Sequence, residues 1–210
     1  MTGLVIAIAQ RKGGAGKTTL AAQLAVAWAR GGARVAAIDT DPQGSLAAWV
    51  DLRRARFGQE AIGFEFAALP GWRATRWVED RAREADLVVI DNPPQTETEA
   101  RMALRAAKLV LIPVQPSPLD LWATQATLKM ARDEQRRSLI VLNRVAPRSV
   151  LADEIAAALT GAGVLLAATR VGNRIALCRA MALGLGVVEI DPTTRAAAEI
   201  NALAEELREI

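Results

Sequence analysis

A glycine-rich segment carrying two lysines joins a predicted strand to a predicted helix near the start of the chain. Residues 3–9 form a short, continuous apolar run, which is typical of a strand buried in a parallel sheet. Residues 18–30 place apolar side chains at helical spacing, and the sequence RKGGAGKTT fills residues 11–19. Because such a turn directs backbone amides and a helix N-terminus at one point, the segment predicts an anion-binding loop within an α/β fold.

This loop has the side chains that a nucleoside triphosphate requires. Its glycines would let the backbone close around phosphate oxygens, although the strict motif has a glycine where this chain has Arg11. We expect Lys17 to reach the β and γ phosphates of ATP and the Thr18 hydroxyl to bind Mg²⁺. The predicted nucleotide-binding residues of the loop are Gly13, Gly14, Ala15, Gly16, Lys17, Thr18 and Thr19. The structural alternative is a plain glycine-rich turn.

The choice of basic residues supports phosphate binding. The sequence holds 22 arginines but only four lysines, and two of the four, Lys12 and Lys17, lie in this loop. A lysine ammonium is a compact charge on a flexible stem, which suits contact with a phosphate. The two lysines therefore indicate phosphate contacts in a chain that otherwise uses arginine.

Apolar runs alternate with amphipathic stretches along the rest of the chain. Predicted strands lie at 3–9, 34–39, 87–91, 109–114 and 139–143, with a weaker one at 63–69. Predicted helices lie at 18–30, 45–52, 71–85, 96–107 and 119–137. From residue 149 the alternation continues, with helices at 149–160, 173–183 and 193–208 and strands at 164–168 and 187–190. The pattern predicts a single domain over residues 1–210, with a mostly parallel, twisted sheet covered by helices on both faces.

Three carboxylates lie at the ends of two predicted strands. Asp39 and Asp41 belong to the sequence DTDPQGS after the second strand, and Asp91 ends the apolar run LVVID. Because ligands bind at the carboxyl ends of strands in open parallel sheets, we expect these side chains near the phosphates. Aspartate, proline and glycine are also ordinary turn residues, which is the structural alternative for residues 39–45.

The sequence KGGAGKT at residues 12–18 resembles the deviant Walker A motif of the ParA/MinD superfamily. DTDPQG resembles the second conserved box of that family, and LVVIDNPP at 87–94 resembles its Walker B segment, with Asn92 in place of the usual threonine. The resemblance covers about residues 4–208 and is weakest over 53–83. It implies a Mg²⁺-dependent ATPase that forms a homodimer when ATP is bound.

The resemblance implies a role for each of these residues. Lys12 would reach across a nucleotide-sandwich dimer to the phosphates of the partner's ATP. Asp41 would orient or activate the attacking water, Asp39 would support the metal shell, and Asp91 would hold Mg²⁺ through a water molecule. Catalytic roles thus fall to Lys12, Lys17 and Asp41, and metal-binding roles to Thr18, Asp39 and Asp91.

Two further segments are similar to less specific parts of the family pattern. PVQPSPLD at 113–120 resembles the segment after the next strand, although Ser117 and Asp120 also have the spacing of a helix capping box. VLNR at 141–144 lies where the family contacts adenine. Asn143, which offers a donor and an acceptor, and Arg144 are therefore predicted to bind the nucleotide.

Charge and missing residue types narrow the choice among relatives. The C-terminal helical segment carries four glutamates against two arginines, unlike the basic amphipathic helix of membrane-bound MinD-type proteins, so no membrane partner is expected. The loop lies so close to Met1 that the chain resembles the small ParA-type class without an N-terminal helix-turn-helix. That class implies non-specific binding to duplex DNA, a ParB-like adaptor that stimulates hydrolysis, and a cytoplasmic, nucleoid-associated location.

Binding to DNA phosphates requires a cationic surface. Residues 130–180 hold eight arginines and four acidic residues, so the net positive charge of the chain is concentrated there. We predict DNA contacts by Arg170 and Arg174, four residues apart at the start of a helix, and by Arg179. The alternative is that these arginines are solvated or cover apolar surface.

Other chemistries are restricted by what the sequence lacks. There is no histidine, and the lone Cys178 cannot form an internal disulfide or a cysteine-based metal centre. No run of about 18 apolar residues or secretory signal is present, so we expect a cytoplasmic protein. The competing prediction is an ATP-dependent ligase or synthetase of the same fold, resembling the dethiobiotin synthetase type, with a substrate pocket in residues 53–83.

Overall fold

A parallel sheet forms the centre of the computed structural model, which describes residues 3–59, 62–93 and 97–210. The strands of these residues are β1 (Leu4–Ile8), β2 (Val35–Asp39), β3 (Glu65–Ala68), β4 (Leu87–Asp91), β5 (Leu109–Val114) and β6 (Arg137–Leu142). They form one six-stranded sheet in the order β3-β2-β4-β1-β5-β6, and every neighbouring pair is parallel. Strand β1 therefore lies inside the sheet, and the loop that follows it starts from the most enclosed part of the fold.

Helices cover both faces of the sheet. The helices are α1 (Lys17–Arg30), α2 (Ser45–Phe57), α3 (Gly71–Glu84), α4 (Glu97–Ala106), α5 (Pro118–Asp133), α6 (Val150–Gly161), α7 (Ile175–Ala182), α8 (Val187–Ile190) and α9 (Arg195–Arg208). One core contains side chains of α1, α2, α7, α8 and α9, and the other contains side chains of α3 to α6. Among the described residues, no helix combines the length and apolarity needed to cross a membrane.

The alternation of side chains along β1 explains why this strand must be central. Ile6 and Ile8 belong to the core on one face, whereas Val5 and Ala7 belong to the core on the other. A strand buried on both faces has no polar side, as its continuous apolar sequence predicted. The predicted α/β class with a parallel sheet and helices on both faces is confirmed.

Several predicted boundaries and two predicted strands are wrong. Helix α2 continues to Phe57, five residues beyond its predicted end. Helix α5 begins at Pro118, after the cap residue Ser117, and ends before Gln135, whose φ of 55° is left-handed. The weak strand predicted at 63–69 is present as β3. Positions 94 and 96, which belong to the predicted Walker B segment and the following helix, lie outside the described residues.

The sheet ends at β6 because neither later apolar segment forms a strand in it. The segment predicted as a strand at 164–168 contributes a single bridge between Leu166 and Ile140. The segment predicted at 187–190 is the short helix α8, whose first turn is closed by Glu189 accepting from the Gly186 N–H at 2.7 Å. Short apolar runs fit buried strands and buried helices equally well, so their pattern could not separate the two.

A buried ion pair fixes α2 to α8. The guanidinium of Arg53, a residue only 4% exposed, donates to both oxygens of Glu189 at 2.7 Å, and its Nε donates to the Ile62 carbonyl at 2.6 Å. Burial alone would raise the pKa of Glu189, but Arg53 and the Gly186 N–H hold that pKa below its ordinary value. Three aromatic rings lie around the guanidinium carbon, those of Phe57, Trp49 and Phe64 at 4.8, 5.7 and 5.9 Å.

We expect Glu189→Ala to lower the free energy of unfolding by about 3 kcal/mol, because it leaves the Arg53 charge buried without its carboxylate. Urea denaturation followed by far-UV circular dichroism measures the change. Asp51→Ala is the control, since it removes the partner of Arg54 in a pair whose aspartate side chain is 72% exposed. That control should cost less than about 0.5 kcal/mol, and equal costs for the two variants would contradict a structural role of the buried pair.

Candidate nucleotide-binding site

The N-terminus of α1 is prepared for an anion. Its cap residue Gly16 adopts a left-handed conformation with φ of 94°, no side chain caps the helix, and its first turn has no acidic residue. The first amides of the helix are thus left without the usual side-chain acceptor, at the positive end of the helix dipole. A Cβ atom on Gly16 would collide with the amide of Asn143. The loop geometry thus requires glycine there and fits a phosphate.

Lys17 places a buried cation beside this helix end. The residue is 7% exposed and has no ion-pair partner within 4.0 Å among the described residues. Burial lowers the pKa of Lys17, while the negative charges of Asp91 and Asp41 raise it. A buried, unpaired ammonium is costly, so the site suits an anionic ligand that would compensate this charge.

Asp91 is the corresponding buried anion. It is 1% exposed, and neither carboxylate oxygen accepts a hydrogen bond of normal geometry from the described residues. Burial raises its pKa to about 7, and the nearby charge of Asp39 adds to the rise, while the Thr18 hydroxyl and Lys17 lower it. An orphaned carboxylate beside a hydroxyl fits a hard cation, and the residues present therefore fit Mg²⁺.

Asp39 uses its carboxylate to organise the loop after β2. One oxygen accepts from the Asp41 N–H at 3.0 Å and the other from the Ala47 N–H at 2.9 Å, so Asp39 caps α2 from the end of the strand. Burial raises the pKa of Asp39, although these backbone bonds oppose the rise. Asp41 is partly exposed and accepts from the Gln43 N–H at 2.9 Å with one oxygen. The metal role predicted for Asp39 stays a prediction beside this structural one.

The predicted metal residues are not a closed cage. The described residues contain no cluster of three acidic, histidine or cysteine side chains suited to hold an ion. Mg²⁺ is usually bound through one or two carboxylates, water and phosphate oxygens, and it rarely has an all-protein shell. Thr18 and Asp91 would thus hold the ion together with the nucleotide. Asp39 would support this shell of ligands around the ion.

Asn143 braces the phosphate loop. Its side-chain nitrogen donates to the Ala15 carbonyl at 2.8 Å, and its side-chain oxygen accepts from the Arg144 N–H at 3.0 Å. These two bonds use one N–H and one acceptor position of the amide, which leaves a second N–H and a second lone pair for its predicted contact with adenine. The sequence predicted Asn143 at the site but did not predict its hydrogen bond to Ala15, which joins residues 128 positions apart.

A narrow groove lies beside the loop. It measures about 40 Å³, and Arg144, whose φ is 54°, lies on its wall. The other lining residues are Gly16, Thr19, Asn143, Gly172, Asn173, Arg174, Leu177 and Cys178. The residues from 172 to 178 were missed as nucleotide-site candidates. The one available signal was a Gly-Asn turn before a helix.

Lys12 lies outside this cradle. Its ammonium pairs with the carboxylate of Asp120 on α5, and its side chain is 37% exposed, whereas that of Asp120 is 1% exposed. The Ser117 hydroxyl accepts from the Asp120 N–H at 3.1 Å, which confirms the predicted cap. Serine and aspartate at this spacing predicted the cap alone, so the ion pair with Lys12 was missed.

The predicted DNA-binding arginines differ in their availability. Arg170 pairs with Asp153 at 2.5 Å and Arg174 with Glu199 at 2.6 Å, whereas Arg179 is exposed with no ion pair to the described residues. The prediction that Arg170 and Arg174 begin a helix is wrong for Arg170, because α7 begins after Arg174. Two of the three positive charges are therefore already compensated within the chain.

The chain belongs to the CobQ/CobB/MinD/ParA nucleotide-binding domain family, whose model matches residues 6–187. The maintenance of carboxysome distribution protein A of Halothiobacillus neapolitanus is 31% identical over 96% of this chain and 95% of its own. The chromosome-partitioning ATPase Soj of Thermus thermophilus is 29% identical over 96% of this chain and 94% of its own. The structure of the septum site-determining protein MinD of Pyrococcus horikoshii with Mg-ADP matches with a TM-score of 0.81 at 21% identity, over 97% of this chain and 95% of that one. The predicted resemblance to the ParA/MinD superfamily is confirmed.

We expect Asn143→Ala to weaken ATP and GTP binding by the same factor, about fivefold, because it removes one hydrogen bond that holds the loop. Equilibrium titration with fluorescent analogues of both nucleotides measures the two affinities. Asn201→Ala, the same change at an exposed position of α9, should leave both unchanged. A variant that lost the preference between the two bases would show instead that Asn143 reads the base.

Proposed function

We propose that this chain is an ATPase that closes into a homodimer around Mg·ATP and positions an intracellular cargo. The ATP-bound dimer binds duplex DNA without sequence preference, and a ParB-like adaptor on the cargo stimulates hydrolysis and releases the dimer. The protein then works in the cytoplasm, associated with the nucleoid. The relatives named for carboxysome distribution and chromosome partitioning support a positioning role and leave open which cargo is carried.

The position of Lys12 carries the dimer proposal. A lysine that served only the nucleotide of its own subunit would extend into the loop, as Lys17 does. Lys12 lies against α5 instead, more than one-third exposed, with no contact that closes its own loop. Its side chain is thus partly accessible from outside the subunit, as a contact with a partner's nucleotide requires.

The arrangement of charges supports hydrolysis. Phosphoryl transfer depends mainly on positioning and on neutralising negative charge, which Lys17 and the amides of α1 supply at the phosphates. Mg²⁺, when bound by Thr18 and Asp91, would neutralise further charge on the phosphate oxygens. Asp41 is partly exposed and accepts from one backbone N–H, and it is the carboxylate proposed to orient the attacking water.

The DNA-binding surface is revised by the ion pairs. Arg144, Arg148 and Arg179 are exposed and have no ion pair to the described residues, so they offer phosphate contacts directly. Arg170 and Arg174 would have to exchange their carboxylate partners for phosphates. Both line a cleft of about 470 Å³ that Arg148 also lines.

A second candidate function is a small-molecule ligase or synthetase, and one observation favours it. A pocket of about 280 Å³ lies beside Asp41 and is lined by Pro42, Ala68, Leu69 and Pro70. Part of this lining comes from the region 53–83, where such an enzyme would need its substrate pocket. A synthetase would turn over ATP only with its substrate and would be indifferent to DNA.

We expect Lys12→Gln to keep ATP binding and lose the ATP-dependent dimer, because Lys17 and the loop amides remain while the contact across the interface is gone. Nucleotide titration and sedimentation velocity with a non-hydrolysable ATP analogue measure the two properties. Lys129→Gln makes the same change at an exposed lysine of α5 and should dimerise normally. Dimers of the Lys12 variant at wild-type affinity would refute the proposed role.

We expect Asp41→Ala to bind Mg·ATP but turn it over at least about 100-fold more slowly, leaving a dimer trapped on DNA. Phosphate release and co-sedimentation with duplex DNA at increasing salt measure both effects. Asp51→Ala, at an exposed position of α2, is the control for loss of an aspartate. Rapid turnover by the Asp41 variant would exclude its catalytic role, and absence of DNA retention in every form would favour the synthetase.

A further inference from the structure

The front half of the phosphate loop is docked onto the β5–α5 region of its own subunit. The Gln115 side chain donates to the Gly14 carbonyl at 3.0 Å, and the Arg11 N–H donates to the Thr127 hydroxyl at 3.4 Å. Lys12 pairs with Asp120 between these two contacts. Residues 11–14 are therefore held from one side by α5 and by the connection between β5 and α5.

Helix α5 in turn carries a buried polar network that continues into the loop. The Gln10 side chain donates to the Thr124 hydroxyl at 2.9 Å and accepts from the Thr127 hydroxyl at 3.2 Å. Thr124 also donates to the Asp120 carbonyl at 2.7 Å. All four residues are at most 2% exposed. A network that is satisfied within the protein interior fixes the position of its members, so α5 and the start of the loop are coupled.

Asp120 depends on Lys12 for its charge balance. One carboxylate oxygen accepts from the Ser117 hydroxyl at 2.5 Å and from the Lys12 ammonium. The other oxygen is buried and has no hydrogen-bond partner among the described residues. Lys12 is the only cation paired with this carboxylate in the part of the chain that the structure describes. Removing Lys12 from it would leave a buried negative charge without compensation.

We propose that Asp120 is a positioning residue that holds Lys12 in its own subunit and thereby opposes dimer formation. This inference rests on the proposed function, in which Lys12 contacts the partner's ATP. In this proposal the ammonium leaves Asp120 to reach a phosphate across the interface, so each dimer must first release two such pairs. The contact acts as an intramolecular latch that sets the ATP and protein concentrations at which dimers appear.

The latch itself is tested by the reactivity of the lysines, which needs neither ATP nor a dimer. The chain has only Lys12, Lys17, Lys108 and Lys129, so mass spectrometry after reductive methylation resolves each amine. In the nucleotide-free wild type, Lys12 should react more slowly than Lys129 by more than their side-chain exposures of 37% and 74% explain. Asp120→Asn should accelerate labelling of Lys12 and leave Lys129 unchanged. Equal labelling of Lys12 in both proteins would overturn the latch.

The effect on assembly is measured separately, by sedimentation velocity with Mg²⁺ and a non-hydrolysable ATP analogue. Asp120→Asn keeps the size of the side chain and an acceptor for Ser117, and we expect it to tighten the dimer about tenfold. Asp133→Asn, which removes the partner of the exposed Lys129 on the same helix, is the matched control and should leave the dimer constant unchanged. An unchanged constant for Asp120→Asn, despite faster labelling of Lys12, would refute the opposition to dimerisation.

The two proposals fail in different ways. A wild type that never dimerises with the ATP analogue contradicts the proposed function, whereas the labelling still reports on the latch. If Asp120→Asn does not fold, which thermal unfolding detects, labelling of the wild type decides. Lys12 reacting as fast as Lys129 then excludes the latch, and protection beyond the difference in exposure supports it.

Discussion

The structure depends on charges held inside the protein at the carboxyl end of β4 and beyond that of β1. Lys17 and Asp91 are both almost fully buried, and desolvation lowers the pKa of the lysine and raises that of the aspartate. Such groups are tolerated only when the surrounding elements hold them in place. The parallel pairing of β1 with β4 and the packing of both faces supply this rigidity. The sheet thus holds in place two buried charges that a metal-bound nucleotide would compensate.

Features determined by neighbouring residues could be predicted from the sequence. The phosphate loop, the strand ends that carry Asp39 and Asp91, and the cap at Ser117 are all set within a few positions of each other, and their patterns are specific. The central strands could also be predicted, because burial on both faces leaves an uninterrupted apolar run.

Contacts between residues far apart in the sequence could not be predicted. Lys12 and Asp120 are 108 positions apart, and nothing in either local sequence indicates that they meet. The ion pair between Arg53 and Glu189 likewise joins the unrecognised region 53–83 to a short helix near the other end of the chain. A short apolar run fits a buried strand or a buried helix, which is why a strand was predicted at residues 187–190, where α8 lies.

The strand order distinguishes the central strands, where substitutions are constrained, from the edge strands, where substitutions are less constrained. Strands β1 and β4 lie in the interior of the sheet and carry side chains of both cores, so substitutions along them disturb both cores. Strands β3 and β6 lie at the edges, and the segments that follow them line the pocket beside Asp41 and the arginine-bearing cleft. New binding surfaces can therefore arise at either margin without disturbing the phosphate site. This arrangement accounts physically for how one nucleotide-binding centre can serve proteins with very different tasks.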